Sequence, residues 1–388
     1  MCVSWQVYAV YDRIDVNRLG VEVDRMSERI ESKQQALSRY KKVPLKADML
    51  LTGVLLHDEI DATGKFVGAD GTLVEYYKLD DGGRHEDTSV ISCAALREIT
   101  INAVRADATP TVVTQLTDFH YNYCNDEDER ENNLWTMSTW HNRTLNQGED
   151  GMHYSVEWHE INMRYADAVG DQMVITGDVI DYFSHGNLEL LDRYIVQPYP
   201  DALITLGNHE TTRAMGLPTD PKERDPITAV EYREMLQRVW PHDVNYTARV
   251  LNDAVMVIQF DNSSAHVSVS QLEKMKADFE TARKNGYTVL LFAHDPFRLD
   301  NGVTLLSRGV LKNGMNLAED INNETNRLLY DLFIAYSDVV RGFFTGHEHS
   351  DILASITGEK DGVAVSIPQF TLTGDYNSFG HILQITVK

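Results

Sequence analysis

The chain has 388 residues, 43% hydrophobic and 24% charged. These values exclude a wholly disordered, collagen-like or membrane-embedded chain. Lys and Arg number 35 against 59 Asp and Glu, a formal net charge of −24. Such a surface repels polyanions and argues against nucleic-acid binding by charge. Compact sites for phosphate esters stay open, because bound cations reverse the local field. The length implies two or three domains. Cys2, Cys93 and Cys124 have no paired spacing, so neither a disulfide framework nor a cysteine zinc site is expected. No signal-peptide pattern opens the chain, and no apolar run approaches the ~20 residues that span a bilayer. The expectation is a cytoplasmic protein without a membrane span, with a phage- or envelope-associated role as the alternative.

In chain order, residues 1–45 are predicted to hold a strand and a heptad helix. Val16, Val23, Ile30 and Leu37 occupy one seam position, and Leu19, Met26, Lys33 and Tyr40 the other, until Pro44 stops the pattern. So narrow a seam suits a coiled coil, and hence a homo-oligomer formed through residues 16–40. Gly20 and Lys33 weaken that reading, and an amphipathic helix packed on its own domain is the alternative. Residues 46–110 alternate short apolar stretches with Gly64, Gly68, Gly71 and the run Asp80-Asp81-Gly82-Gly83. That pattern predicts a small β-rich module or connector.

From about residue 111 a different rhythm begins. Runs at 112–117, 172–176, 202–206, 255–260, 288–292, 339–345, 352–356 and 363–370 read as buried strands. Helical patterns fall at 154–168, 188–195, 229–239, 270–284 and 318–336. Alternation of apolar strands with helices implies an α/β layered fold, and in such sheets ligands bind beyond the carboxyl ends of the strands.

Five polar motifs follow five of these strands. They are Asp118-Phe119-His120, Gly177-Asp178-Val179-Ile180-Asp181, Gly207-Asn208-His209-Glu210, Ala293-His294-Asp295-Pro296 and Gly346-His347-Glu348-His349. Asp and imidazole suit borderline divalent ions such as Zn, Mn and Fe. Residues two apart at a strand end share a side, so Asp118 with His120, and His347 with His349, can each face one cavity. The donors exceed what one ion needs. Two ions sharing a carboxylate could clamp a phosphoryl oxygen and activate water.

This ordered set resembles the calcineurin-like metallophosphoesterase superfamily, over about residues 111–388. The resemblance implies a four-layer α/β-β/α sandwich. It implies that Asp118, His120, Asp178 and His349 hold one divalent ion and that Asp178, Asn208, His294 and His347 hold the other, with Asp178 as the bridge. It further implies attack by a metal-bridging hydroxide, His209 as the general acid on the leaving oxygen, and Asp181 orienting His209. The ion pair would be Mn, Fe or Zn. Glu210 and Asp295 are adjacent acids with supporting or solvent-facing roles. The remaining nine histidines lack ligand spacing. Asp181 is followed by Tyr182-Phe183 where the superfamily's protein phosphatases carry Arg-Gly, which argues against that branch.

Residues 121–152 form a polar insertion with Asp126-Glu127-Asp128-Glu129, Trp135 and Trp140. It is either a surface loop or a lid. Its acidity disfavours highly anionic substrates and mildly favours a diester over a polyphosphate, and a small phosphodiester is slightly favoured over a monoester as the substrate. Arg213 and Arg308 are either substrate cations or surface charges. The competing readings are a phosphomonoesterase or nucleotidase-like enzyme, and a coiled-coil scaffold carrying a non-catalytic metal site.

Overall fold

A computed structural model describes residues 41–44, 65–67, 73–80, 94–130, 162–163, 166–167, 169–210, 229–299, 302–307, 310–318, 321–374 and 380–388. The heptad, both loop tryptophans, Arg213 and Arg308 lie outside these residues, as does most of the helix predicted at 154–168.

Two mixed sheets form the centre of the molecule. In chain order their strands are β1 (Lys41–Pro44), β2 (Lys65–Val67), β3 (Leu73–Asp80), β4 (Ala94–Ile101), β5 (Thr111–Leu116), β6 (Gln172–Ile175), β7 (Leu203–Ile204), β8 (Tyr246–Leu251), β9 (Val255–Phe260), β10 (Thr288–Phe292), β11 (Val303–Leu305), β12 (Val340–Thr345), β13 (Ile352–Lys360), β14 (Val363–Thr371) and β15 (Gly380–Val387). The first sheet runs β1-β3-β4-β15-β5-β6-β7 with β2 paired to β3, and the second runs β11-β13-β14-β12-β10-β9-β8. Within them β5, β6 and β7 are mutually parallel, and so are β9, β10, β12 and β14.

The helices are α1 (Asp126–Arg130), α2 (His185–Leu191), which runs into a π-helical turn at Asp192–Val196, α3 (Ala229–Val239), α4 (Val269–Asn285) and α5 (Glu324–Ala335). The sequence explains α4 closely. Ser268 accepts from the Gln271 N–H while the Gln271 side chain accepts from the Ser268 N–H, and Gly286 closes the other end in a left-handed conformation, the reciprocal cap and glycine stop of a well-delimited helix.

Three apolar cores define four layers. Ile99, Val113, Val174, Leu203, Val257, Leu290, Phe292, Phe344, Phe370 and Ile385 fill the space between the sheets. Phe279, Leu329 and Phe333 of α4 and α5 cover the outer face of the second sheet. Leu191, Ile195 and Leu236 cover the outer face of the first. Strands with apolar residues on both faces are therefore buried on both: all six residues of β9 and all five of β10 are buried. Each fully buried apolar side chain contributes about 1.5–3 kcal/mol.

The α/β sandwich expected from the sequence is present. Neither β8 nor β15 is among the predicted runs. β8 is an edge strand whose residues alternate only weakly in burial. β15 sits mid-sheet, parallel to β4 and antiparallel to β5. The strands β2 to β4 arise from the segment read as a β-rich module, and through β15 they continue the sheet that carries β5. Among the described residues no helix is long and apolar enough to cross a membrane.

Candidate metal centre

The parallel strands of both sheets point their carboxyl ends at one edge, and the five polar motifs begin there. Beyond β5 and β6 the backbone stays paired: the N–H groups of Asp118, His120 and Tyr121 donate to the carbonyls of Gly177, Asp178 and Val179. In the second sheet the Gly346 N–H donates to the His294 carbonyl at 3.0 Å. The loops are thus locked side by side before any side chain is considered.

Backbone strain concentrates at this edge. Asp118, His120, Asp178, His347 and His349 have φ of 54°, 50°, 49°, 77° and 48°. Left-handed conformations of non-glycine residues persist only where the surroundings over-determine them, and they cluster at functional sites. Gly207 is required for a different reason: a Cβ there would collide with the Asp178 carboxylate.

Every residue predicted as a ligand comes to one place. On one side, Asp118, His120, Asp178 and His349 converge. On the other, Asp178, His294 and His347 converge, with Asp178 common to both groups. The His349 Nε2 lies 3.1 Å from Asp118 Oδ1 and 3.1 Å from His120 Nε2. The His294 Nε2 lies 3.1 Å from Asp178 Oδ2. The His347 Nδ1 lies 3.2 Å from His294 Nε2 and 3.0 Å from the Asn208 Oδ1. The predicted acid is here too. His209 packs edge-on against His120 with ring centroids 4.6 Å apart, and its Nε2 is 3.9 Å from Asp178 Oδ2.

The donor set fits divalent cations. His294 donates through Nδ1 to the Thr176 carbonyl at 2.7 Å, which turns a lone pair on Nε2 toward His347. His120 likewise directs Nδ1 to Asp181 Oδ1 at 3.0 Å, which turns Nε2 toward His349. Two pairs of imidazole nitrogens therefore face each other at close range beside buried carboxylates, an arrangement that calls for cations between them. The second partner on each ring fixes its tautomer, as around metal-bound histidine.

The electrostatics agree. Burial opposes the charge on Asp118, yet hydrogen bonds from His120 and His349 hold it well below the usual carboxylate range. Burial also opposes the charge on Asp178, but the fields of His294 and His209 hold it low. The carboxylates also draw protons onto the neighbouring imidazoles. Burial would lower His120, but hydrogen bonds to Asp118 and Asp181 raise it to about 10. Burial and the neighbouring His294 lower His347 to about 4, which leaves that imidazole neutral. Burial lowers His209, and the Asp178 charge and the Asp181 hydrogen bond outweigh it, for a net rise.

Asp181 has two tasks. Its carboxylate faces His120, and its Oδ1 is also 3.3 Å from His209 Nδ1. The closer partner of His209 is the Asp181 backbone carbonyl, at 2.6 Å. Glu210 and Asp295 are buried, so neither is solvent-facing. The Glu210 carboxylate accepts from the N–H groups of Gly207, Asp178, Val179 and Ile180, tying the second motif to the third. Burial and the Asp178 charge push Glu210 up to about 7, while the four N–H donors favour its ionised form. Asn262 is a supporting residue that the sequence does not reveal. Its Oδ1 accepts from the N–H groups of His294 and Asp295, both at 3.0 Å. A lone Asn after a strand carries no motif, and a turn residue is its ordinary meaning.

Comparison with known proteins places the chain. Residues 111–351, more than half of it, match the calcineurin-like phosphoesterase family model. The chain belongs to that family. It is a hydrolase of phosphate esters, and the His and Asp clusters above are the candidate ligands of its divalent-metal centre. No curated protein matches it in sequence. Solved structures similar to it include a dimetal phosphatase from Danio rerio at 11% identity and TM-score 0.35, covering 70% of this chain and 90% of the other. PhoD is also similar, at 11% identity and TM-score 0.41, covering 79% of this chain and 62% of the other.

Proposed function

We propose that the chain hydrolyses a small phosphodiester at a two-ion centre held by Asp118, His120, Asp178, Asn208, His294, His347 and His349. The observation that carries this reading is the pair of facing imidazole nitrogens on either side of the shared Asp178. Bound divalent ions would supply the charge that neutralises the phosphate and makes a water nucleophilic. The protein's own contribution is positioning and proton transfer.

Asp178 spans the two halves, with Oδ1 taken up by the His209 N–H at 2.9 Å and Oδ2 directed at the imidazoles. Asp118 accepts the His347 N–H, so each carboxylate also fixes the loop of another donor. His209 holds its Nδ1 proton on Asp181 and presents Nε2 to the cavity. From there it protonates the departing oxygen, and its raised pKa keeps the proton available. Asp181 orients the ring and opposes its deprotonation. The acidic α1 beside the first motif supports a diester over a more highly charged monoester. Division of the chain into 1–45, 46–110 and a catalytic domain from 111 to 388 belongs to the same reading.

The test is hydrolysis of a bis-aryl phosphate diester and the matching monoester by Mn²⁺-reconstituted protein, with chelated protein and His209→Ala alongside. Diester turnover that is lost in both controls is expected. Preference for the monoester would redirect the substrate class, and full activity after chelation would overturn the reading.

A further inference from the structure

Asp351, two residues past His349, has no part in the reaction proposed above, yet it sits at the junction of four segments. Its Oδ2 accepts from Arg97 Nε at 2.6 Å, and the Arg97 Nη2 forms an ion pair with the same oxygen. Its Oδ1 accepts the Thr373 N–H at 2.9 Å. The His381 Nδ1 on β15 is 3.9 Å away. The neighbour of Thr373, Gly374, lies flat against Asp118, where a Cβ would collide with the Asp118 side chain. One carboxylate therefore ties the loop of His347 and His349 to the turn that backs Asp118.

We infer that Arg97 is a positioning residue for the metal-binding loops: from β4, outside the family-matched residues, it clamps Asp351 and thereby holds His347, His349 and Asp118 in place.

Three observations support this. The side chains of Arg97 and Asp351 are only 10% and 9% exposed, and a buried carboxylate is retained where a partner compensates it. The loop they anchor is strained, with φ of 77° at His347 and 48° at His349, so it needs restraint at its ends. Its start is held by the Gly346 N–H on His294, and its middle by Glu348, which accepts the N–H groups of Lys312 and Asn313, both at 2.7 Å. Asp351 supplies the far end. Arg97 lies on a strand registered against β15, with Arg97 opposite Leu383. The segment that precedes the family domain thus completes its site. An Arg suits this place because the planar fork can meet one carboxylate through two nitrogens, which Lys cannot.

The inference rests on the reading of the cluster as a metal centre, and the experiment separates the two. Mn²⁺ is titrated calorimetrically into full-length, metal-free wild type, Arg97→Lys and the double variant Arg97→Met/Asp351→Leu, with far-UV circular dichroism as the check on folding. The double variant removes both charges, a replacement that is commonly neutral for stability. Both variants are expected to fold and to bind Mn²⁺ about tenfold or more weakly, the usual scale for loss of a residue that orients ligands. Wild-type affinity in either variant, or failure of the double variant to fold, would overturn the inference and leave the pair a purely structural one. Absence of Mn²⁺ binding by the wild type would overturn the metal reading, and this inference with it.

Discussion

The two halves of the metal centre share Asp178 and each contribute two imidazoles, but they are built differently. In the half with Asp118, His120 and His349, the supporting partners are charged: Asp181 takes His120 Nδ1, and Asp118 itself faces both rings. The side chain of His349 is 35% exposed. In the half with Asn208, His294 and His347, the support is mostly neutral and more deeply buried, with one carboxylate, Asp295, 3.4 Å from His347 Nδ1. A backbone carbonyl takes His294 Nδ1, Asn262 holds its loop, and His294 is inaccessible. A carboxylate partner makes an imidazole more basic than a carbonyl does. The first half is thus the more strongly charged and the more open to water, and the second is the more rigid. Similar ligand chemistry has been embedded once in an electrostatic frame and once in a packed one.

Substitution of the residue common to both halves tests the comparison most severely. Asp178→Asn is expected to lower kcat/KM on the order of 10⁴-fold, from several kcal/mol of lost charge stabilisation at about 1.4 kcal/mol per tenfold. Calorimetry should show weaker binding in both halves, and loss in one half alone would deny Asp178 its shared role. His209→Ala should lower kcat by about 10²-fold or more with Mn²⁺ affinity unchanged. The deficit should grow with the pKa of the leaving phenol across an aryl series, and a flat series would remove His209 as the acid.

The halves can also be set against each other without metal. His294→Ala opens a buried cavity and removes the shorter of the two hydrogen bonds to the Thr176 carbonyl, so urea unfolding of metal-free protein should show a loss of about 2–4 kcal/mol. His349→Ala, at the open edge, should cost less, about 1 kcal/mol for its hydrogen bond to Asp118. Equal costs would contradict the packed-versus-electrostatic distinction.

The smallest effect is expected away from the site. The Arg283 hydrogen bond, with help from Lys360, holds Asp338 below the usual carboxylate range. A depressed folded-state pKa stabilises above the unfolded value near 4 and loses that contribution as pH falls through the folded one. Asp338→Asn should therefore cost under about 1 kcal/mol at pH 7, with the difference from wild type disappearing in acid. Persistence of the difference at low pH would mean that the ion pair is not its source.

Much of the site was legible because its chemistry is local. Asp118 with His120, Asp178 with Asp181, Asn208 with His209, and His347 with His349 each sit within three residues of one another at a strand end, and the alternation of strand and helix places those ends together. Strands with largely apolar sequence, such as β9 and β10, were also legible, because burial on both faces favours that composition. What the chain alone could not disclose is of another kind. β15 and the edge strand β8 depend on partners far away in sequence. Asn262 and Asp351 look like ordinary turn residues until the folded chain brings His294 to one and Arg97, 254 positions earlier, to the other. The assignment of Glu210 to four backbone amides, against a solvent-facing role, required the third dimension as well. Short-range spacing therefore determined which groups could bind a metal and act on a phosphate ester. Long-range pairing decided how those groups are held, because a hydrogen bond or buried ion pair between distant residues leaves no period in the sequence and exists only once the sheets have closed on each other.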